Sequence, residues 1–221
     1  MKSIISYNDP KSVISEQYRA IRTNIEYSNV DQNTKTILVT SSDKNEGKTT
    51  TVSNLAVSFA NLNKKILLID CDLRNPSIHK MFRLNNIYGL TDILAKDRAA
   101  DKCIQETELE NLYVLTAGAI PPNPAEILSS EKMKNLIEDL KNIYDYIFID
   151  TPPIGLVTDA GVLSSFIDGV VLVVKSESIE KKYLEETKKK LDAVDARILG
   201  AILNSYKSEQ KDYYYYSYYG K

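Results

Sequence analysis

Short runs of mostly apolar residues recur along the chain, separated by longer polar stretches. Six of them stand out: Thr36–Thr40, Lys65–Asp70, Asn111–Thr116, Tyr146–Asp150, Gly169–Val174 and Arg197–Leu203. An apolar run of this length without polar alternation is typical of a strand that is buried on both faces. We therefore predict six such strands.

Helical patterns lie between these runs. Met133, Leu136, Ile137 and Leu140 have the i, i+3, i+4, i+7 spacing of one helical face. Further helices are predicted over about 49–62 and 179–194, and another over about 12–28 precedes the first strand. Strands that alternate with helices predict an α/β fold with a mostly parallel sheet and helices on both faces.

Composition and charge exclude several classes of protein. The 221 residues carry a net charge of −2, which gives no general attraction to nucleic acid. Two cysteines form no disulfide framework, so we expect a reducing, cytoplasmic environment. The polar N-terminus predicts no signal peptide. The longest apolar run, 170–174, is far shorter than the roughly 20 residues that span a bilayer, so any membrane association is expected to require a partner.

A phosphate-binding loop is predicted directly after the first strand. The segment SSDKNEGKTT, Ser41–Thr50, has the spacing G-x-x-x-x-G-K-[ST], except that Ser42 replaces the first glycine. Because the loop opens a helix, its free N–H groups and the positive end of the helix dipole face a bound phosphate. Lys48 is expected to lie along the phosphates, and the Thr49 hydroxyl to bind Mg²⁺.

Three carboxylates end strands at the same predicted edge of the sheet. Asp70 and Asp72 end one strand, in ILLIDCDLRNP, and Asp150 ends another, in YIFIDTPP. The carboxyl ends of parallel strands form the edge where ligands bind, and the phosphate loop belongs to it. Asp150 is expected to act on the metal through water. Of Asp70 and Asp72, one is expected to accept a hydroxyl proton and the other to hold the metal shell.

Two further features are ambiguous from the residues alone. Glu16, Arg19 and Arg22 share a broad face of the first helix, and Glu16 with Arg19 would make an ordinary intrahelical pair. The chain ends in DYYYYSYYGK, whose tyrosines are either a low-complexity terminus or phosphate acceptors. We predict a domain over residues 1–204 and a flexible tail over 205–221.

The combination of these motifs resembles the bacterial tyrosine kinases of capsule and exopolysaccharide synthesis, in particular the cytoplasmic kinase subunit of Gram-positive bacteria. The resemblance covers essentially the whole chain. It rests on the Walker A variant at Ser41–Thr50, on LLIDCDLRNP as an additional Walker A′ motif, and on FIDTPP as Walker B. The pattern E-x-x-R-x-x-R at Glu16, Arg19 and Arg22 and the terminal tyrosine cluster complete it.

The resemblance implies a P-loop NTPase fold and an enzyme that transfers the γ-phosphate of ATP, with Mg²⁺, to protein tyrosines. Lys48, Asp70 and Asp72 are implied as catalytic, with Asp70 as the base, and Thr49, Asp72 and Asp150 as the metal-positioning residues. The nucleotide-binding residues implied are Ser42, Asp43, Lys44, Asn45, Glu46, Gly47, Lys48, Thr49 and Thr50. The phosphate acceptors implied are Tyr213, Tyr214, Tyr215, Tyr216, Tyr218 and Tyr219.

The resemblance also implies partners and a location. Glu16, Arg19 and Arg22 are implied to mediate a ring-like homo-oligomer in which the tail of one subunit reaches the site of its neighbour. A separate membrane-anchored adaptor is implied to stimulate the kinase, which would then lie at the cytoplasmic face of the membrane. Capsule or exopolysaccharide synthesis would be the regulated process.

Two other functions use the same phosphate-binding motifs. One is an ATPase switch of the partition and cell-division type, in which water replaces the tyrosine; the other is a nucleotide-binding regulator without catalysis. Only the tyrosine tail and the Glu16, Arg19 and Arg22 set distinguish the kinase from these. Asp43 occupies the position where partition ATPases usually carry lysine, which argues mildly against that class.

Overall fold

The computed structural model describes residues 4–28, 33–177 and 180–207. The strands within these residues are β1 Thr36–Ser41, β2 Ile66–Asp70, β3 Ile104–Glu106, β4 Leu112–Leu115, β5 Tyr146–Asp150, β6 Gly169–Lys175 and β7 Ile198–Asn204. These seven strands of the described part of the chain form a single sheet in the order β3-β4-β2-β5-β1-β6-β7. All neighbours pair in parallel except β3, which is antiparallel to β4. The predicted α/β class is confirmed.

Helices cover both faces of this sheet. Within the described residues they are α1 Ile5–Asn8, α2 Val13–Tyr27, α3 Lys48–Ala60, α4 Ile78–Phe82, α5 Leu90–Lys96, α6 Pro124–Leu128, α7 Glu131–Lys141, α8 Asp159–Ser164 and α9 Lys181–Asp192, with a 3₁₀ turn at Ala100–Lys102. The helices predicted over about 12–28, 49–62 and 179–194 correspond to α2, α3 and α9, with ends that differ by one or two residues. The pattern from Met133 to Leu140 lies within α7. The short helices α1, α4, α5, α6 and α8 were not predicted.

The alternation of side chains along the strands creates two hydrophobic cores. On β1, Ile37 and Val39 pack against α1 to α4, whereas Leu38 faces α5 to α9. On β2, Ile66 and Leu68 belong to the first core and Leu67 to the second. Successive strand residues point to opposite faces, so a run buried on both faces is mostly apolar, without regular polar alternation. The central runs were correctly predicted for this reason.

Strand β7 differs from its prediction. We expected it to be buried on both faces, but every residue of β7 is half-buried or exposed, and Leu203 is 55% exposed. The cause is its position, since β7 is an edge strand that pairs only with β6. It is nevertheless parallel to β6, so its C-terminal end lies at the same edge of the sheet as those of β1, β2 and β5.

Helix α2 has the N-terminus that its sequence indicates. Ser12 is the N-cap, and its hydroxyl accepts a hydrogen bond of 3.2 Å from the backbone N–H of Ser15. Glu16 lies in the first turn, where the helix dipole favours an acidic side chain. In the part of the chain that the structure describes, no helix combines the length and apolar character needed to cross a membrane.

Asp168 joins the start of β1 to helix α7. Its Oδ2 accepts hydrogen bonds of 2.9 Å from the backbone N–H groups of both Lys35 and Thr36, and its Oδ1 accepts one of 3.0 Å from Lys141. Burial raises the pKa of Asp168, but the backbone donors and Lys141 outweigh this effect and hold the pKa below its usual range. The carboxylate form is therefore stabilised by folding.

We expect Asp168→Asn to lower the free energy of unfolding by about 1–3 kcal/mol at pH 7, because backbone donors lose their charged acceptor. A carboxyl with a lowered folded-state pKa stabilises the protein above its unfolded pKa of about 3.9, and this stabilisation disappears as the pH falls through the lower folded value. The difference between wild type and Asp168→Asn should therefore narrow below about pH 4. Urea unfolding at several pH values measures it.

Asp192→Asn provides the control for this experiment. Asp192 pairs on the surface with Lys188 of the same helix, and both side chains are at least half exposed. Its replacement should change stability by less than about 0.5 kcal/mol at any pH. Equal effects of the two substitutions would contradict the role assigned to Asp168.

Candidate active site

The phosphate loop connects β1 to α3 and has the backbone conformation that its motif requires. Gly47 is the N-cap of α3 with φ 91°, and Asn45 has φ 58°; both lie in the left-handed region. A Cβ at Gly47 would also collide with the side-chain amide of Asn204. The glycine is therefore needed both for its conformation and for a close approach. Ser42 is not among the residues with positive φ, so the missing first glycine costs this loop nothing.

The other residues of the loop have distinct environments. Ser42 is buried, and its Oγ accepts a hydrogen bond of 2.9 Å from the Thr187 hydroxyl of α9. Asp43, Lys44 and Thr50 are exposed. The backbone N–H of Lys44 donates to the Asp43 carboxylate at 2.7 Å, which forms a local turn.

Glu46 ties the loop to the ends of β6 and β7, a role that the sequence did not reveal. Its side chain is buried and accepts hydrogen bonds from the backbone N–H groups of Asp43, at 2.8 Å, and Lys175, at 3.2 Å. Its carbonyl oxygen accepts one of 2.8 Å from the side chain of Asn204, the last residue of β7. The conformation of the loop thus depends on segments more than 120 residues away in sequence.

Lys48 begins α3 and is buried beside acidic side chains. Burial lowers the pKa of Lys48, while the nearby carboxylates of Asp150 and Asp72 act in the opposite direction. An ammonium group at a helix N-terminus, close to carboxylates, is placed to accompany an incoming phosphate. The location agrees with the predicted phosphate-binding role.

The phosphate loop and the second acidic motif meet directly. The Thr49 hydroxyl donates a hydrogen bond of 2.7 Å to Asp150 Oδ2, and Asp150 is paired in register with Asp70 on the adjacent strand. The Ser77 hydroxyl lies 3.4 Å from the Thr49 oxygen. The structure therefore brings Lys48, Thr49, Asp70 and Asp150 together at one edge, as the parallel sheet predicted.

Asp70 is a buried carboxylate with one oxygen satisfied and one not. Oδ2 accepts hydrogen bonds of 3.0 Å from the backbone N–H groups of Ser77 and Ile78, at the start of α4. Oδ1 is buried and accepts no hydrogen bond from the described residues. Burial above all raises the pKa of Asp70 to about 7, with Asp72 adding to the rise and the two N–H donors opposing it.

Asp150 shows the same pattern. It is 1% exposed, Oδ2 is bound to Thr49, and Oδ1 has no partner within the described part of the chain. Burial and the charge of Asp70 raise the pKa of Asp150 well above its usual range, against the effects of Thr49 and Lys48. Two adjacent buried carboxylates with unsatisfied oxygens indicate a site built for a cation.

Asp72 lies two residues beyond β2 and is half-buried. Its Oδ1 accepts a hydrogen bond of 3.0 Å from the backbone N–H of Asn75. The side chain is close enough to Lys48 and Asp70 to influence the pKa of each. It therefore belongs to the same acidic group as Asp70 and Asp150.

The predicted oligomerisation residues make contacts within the chain. Arg19 Nε donates to Glu16 at 2.7 Å, which is the intrahelical pair that the spacing allows. Arg22 Nη1 donates to the carbonyl oxygen of Ser58 in α3 at 2.6 Å, and the Arg22 side chain is only 12% exposed. Glu16 and Arg19 remain accessible, with 53% and 37% of their side chains exposed. The six predicted acceptor tyrosines, Tyr213–Tyr216, Tyr218 and Tyr219, lie outside the described residues.

Comparison with known proteins agrees with this geometry. The family described as AAA domain matches residues 34–201. Tyrosine-protein kinase YwqD of Bacillus subtilis (strain 168) is 46% identical, over 97% of this chain and 91% of the relative. Tyrosine-protein kinase CpsD of Streptococcus agalactiae is 41% identical, over 93% of this chain and 90% of the relative.

Solved structures show the same similarity. The chimerical protein CapA2B2 superposes with a TM-score of 0.90 at 40% identity, covering 94% of this chain and 92% of that one. The septum site-determining protein MinD from Pyrococcus horikoshii OT3, complexed with Mg-ADP, superposes with a TM-score of 0.67 at 30% identity, covering 80% and 73%. The fold and the loop thus define a P-loop nucleotide-binding protein of the AAA domain family. Within this class, the chain belongs to the bacterial tyrosine-protein kinases.

The residues at the edge of the sheet fit the magnesium ion that the fold family implies. The described residues contain no cluster of three or more His, Cys, Asp or Glu side chains that could chelate a metal alone. Magnesium usually keeps several waters and binds one or two protein groups together with phosphate oxygens. The Thr49 hydroxyl supplies a ligand of this kind, and the unsatisfied oxygen of Asp150 supplies an acceptor for a metal-bound water.

We expect Glu46→Gln to weaken nucleotide binding by about tenfold, because the glutamine NH₂ group would face a backbone N–H donor and unsettle the loop. Isothermal titration with ADP and Mg²⁺ measures the change. Glu108→Gln, an exposed change in the loop between β3 and β4, is the matched control and should leave the affinity unchanged. The same affinity for both variants would show that Glu46 does not organise the loop.

Proposed function

We propose that the protein transfers the γ-phosphoryl group of ATP to tyrosine hydroxyls, and that its own C-terminal tyrosines are acceptors. The observation that carries this proposal is the Thr49–Asp150 hydrogen bond, which joins the phosphate loop to the acidic edge beside the unsatisfied Asp70 oxygen. The names and the similarity of the relatives support the choice of tyrosine as the acceptor.

The phosphate groups would be held by the start of α3. The free N–H groups of its first turn and the Lys48 ammonium supply positive charge for the β- and γ-phosphates. Thr49 would bind Mg²⁺ directly, and Asp150 and Asp72 would hold its water shell. Magnesium, when bound, neutralises negative charge on the phosphate oxygens.

Asp70 would act as the proton acceptor. As the phenol oxygen bonds to the γ-phosphorus, the bond from that phosphorus to the β–γ bridging oxygen breaks and ADP leaves. The phenol proton would pass to Asp70 Oδ1, the oxygen that accepts no hydrogen bond from described residues. The two N–H donors on Oδ2 would keep the carboxylate in a fixed orientation meanwhile.

The end of β7 brings the start of the tail close to the phosphate loop. Asn204 is bonded to the phosphate loop, so the chain leaves the sheet at the catalytic edge. The 17 residues from Ser205 to Lys221 could extend roughly 55 Å at about 3.3 Å per residue. This reach permits phosphorylation of the chain's own site or of a neighbour's, and we propose the neighbour's, within a ring-like homo-oligomer.

A groove beside α2 supports self-association. It measures about 790 Å³ and lies between α2 and the exposed strand β7, with Glu16 on its border. Ile14 and Leu203, both more than half exposed, contribute apolar surface to it. Of the three predicted oligomerisation residues, Glu16 lines this groove, whereas Arg19 and Arg22 lie outside it. We propose that a neighbouring subunit occupies the groove and also contacts Arg19 and Arg22, so that Arg22 would exchange or share its present contact with Ser58.

We further propose a membrane-anchored adaptor protein as activator. Its cytoplasmic segment would hold the kinase at the inner face of the membrane, where capsule or exopolysaccharide synthesis is regulated. This proposal rests on the resemblance to the capsule and exopolysaccharide kinases and on the similarity to the tyrosine-protein kinase CpsD and the chimerical protein CapA2B2.

We expect Lys48→Met to abolish phosphate transfer while the fold persists, because the ammonium group on the phosphates is lost. Intact-mass spectrometry after incubation with ATP, Mg²⁺ and the adaptor segment measures transfer, and circular dichroism checks the fold. Lys64→Met, an exposed change beyond α3, is the control and should keep full activity. Release of ADP by wild type without added mass would instead favour the ATPase switch.

A mixture of two variants tests transfer between subunits. One chain carries Lys48→Met and an intact tail; the other is catalytically intact, with all six tail tyrosines from Tyr213 to Tyr219 changed to phenylalanine. We expect phosphate on the Lys48→Met chain in the mixture and none on that chain alone. If wild type gains phosphate but the Lys48→Met chain never does, transfer occurs within one subunit.

A further inference from the structure

The turn that carries Asp72 is fixed at both of its ends. Asp70 at its start belongs to β2, and Ser77 and Ile78 at its end donate to Asp70. Between them, Asn75 donates its backbone N–H to the carbonyl oxygen of Asp72 at 3.2 Å and to Asp72 Oδ1 at 3.0 Å.

The turn is also packed against the rest of the protein. The Cys71 backbone N–H donates to the Asp150 carbonyl oxygen at 2.9 Å, and Leu73 is fully buried. Neither contact holds the side chain of Asp72, which accepts its hydrogen bond from Asn75 within the turn.

Arg74, in the same turn, makes a two-point contact with helix α8. Its Nε donates to Asp159 Oδ2 at 2.8 Å and its Nη2 donates to Asp159 Oδ1 at 2.9 Å. The Asp159 side chain is fully buried, whereas that of Arg74 is 43% exposed. A paired guanidinium and carboxylate have a planar, directional geometry, and leaving the buried carboxylate alone would be costly. This contact therefore constrains both position and orientation.

Asp159 is itself fixed relative to the phosphate loop. It begins α8, shortly after the segment that follows Asp150. In that segment, the Ile154 backbone N–H donates to the Ser41 carbonyl oxygen at 3.0 Å and to the Thr40 hydroxyl at 3.1 Å. Ser41 is the last residue of β1 and leads into the loop. The contact with Arg74 thus links the turn of Asp72 to the strand that carries the loop.

We propose that Arg74 is a positioning residue that acts through Asp159 to hold Asp72 in its working place. The proposal rests on the kinase function proposed above. It predicts that Arg74 contributes to turnover without contacting ATP or tyrosine, and that its contribution requires Asp159. A guanidinium that bound the transferred phosphoryl group directly would need no such partner.

Steady-state kinetics of Arg74→Met, Asp159→Asn and the double variant test this dependence. We expect each single change to lower kcat by about tenfold or more while KM for ATP changes by less than about threefold, since a displaced group impairs the reaction more than binding. The kcat of the double variant should be no lower than that of the less active single variant, because the two residues act as one unit. Arg74→Lys should fall between wild type and Arg74→Met, since lysine lacks the two-point geometry.

Lys96→Met is the matched control. Lys96 is also an exposed cation paired with a buried carboxylate, that of Asp92 at 2.9 Å, but it lies in α5. It should lose stability without a change in kcat. A near-normal kcat of Asp159→Asn together with a strongly lowered kcat of Arg74→Met would overturn the proposal and indicate direct contact of Arg74 with phosphate. So would effects that multiply in the double variant.

Hydrogen exchange in the nucleotide-free and metal-free protein gives a second readout that is independent of activity. We expect the Asn75 amide to exchange about tenfold faster in Arg74→Met and Asp159→Asn than in wild type, and at an unchanged rate in Lys96→Met. Unchanged exchange at Asn75 in the two site variants would also overturn the proposal. A wild-type enzyme that transfers no phosphate under conditions where this exchange difference is seen would refute only the kinase function.

Discussion

Parallel pairing of β1, β2 and β5 is the constraint on which this site depends. The register places Asp70 directly opposite Asp150, and β1 delivers the phosphate loop to the same edge. Two carboxylates in such a position lose water above all, and neighbouring negative charge adds to this effect, so the pKa of each is raised towards the protonated form. The surrounding donors, Thr49 on Asp150 and the first N–H groups of α4 on Asp70, offset part of this cost. The part of this cost that the donors do not offset favours binding of a positive charge beside the two carboxylates. A site for a metal ion with a phosphate requires this property.

The central part of the fold could be predicted because burial on both faces leaves a clear mark. The runs that became β1, β2, β4, β5 and β6 are mostly apolar without polar alternation, and the long helices repeat their apolar residues at helical spacing. Strand β3 has only three residues, none of them buried, so no pattern marked it. The edge position of β7 depends on the order of strands, which apolar content does not encode. The short helices have too few turns to show a period.

The candidate site divides in the same way. Lys48, Thr49, Asp70, Asp72 and Asp150 were predictable because each belongs to a short motif that is contiguous in sequence. Glu46 was correctly placed in the loop, but its contact with Lys175 joins residues 129 positions apart in sequence. The contact of Arg74 with Asp159 joins residues 85 positions apart. Such pairs are created by the packing of elements far apart in sequence, and one sequence without relatives does not reveal them. The sequence did contain one indication for Asn204, because a polar amide at the end of an apolar strand is typical of a residue that makes a specific hydrogen bond.

The contact of Asn204 with the phosphate loop also determines where the following residues can be. Under the proposed phosphorylation of the tail, its tyrosines would stay near the catalytic edge, where a short flexible tether gives an effective concentration of about millimolar. The effective concentration of tyrosines on such a tether would exceed that of a separate protein present at micromolar concentration by about a thousandfold. Selection of an external substrate would then require docking surfaces that raise its local concentration, or prior consumption of the tethered hydroxyls. Under this proposal, the position at which β7 ends would determine how strongly external substrates must compete with the tail tyrosines.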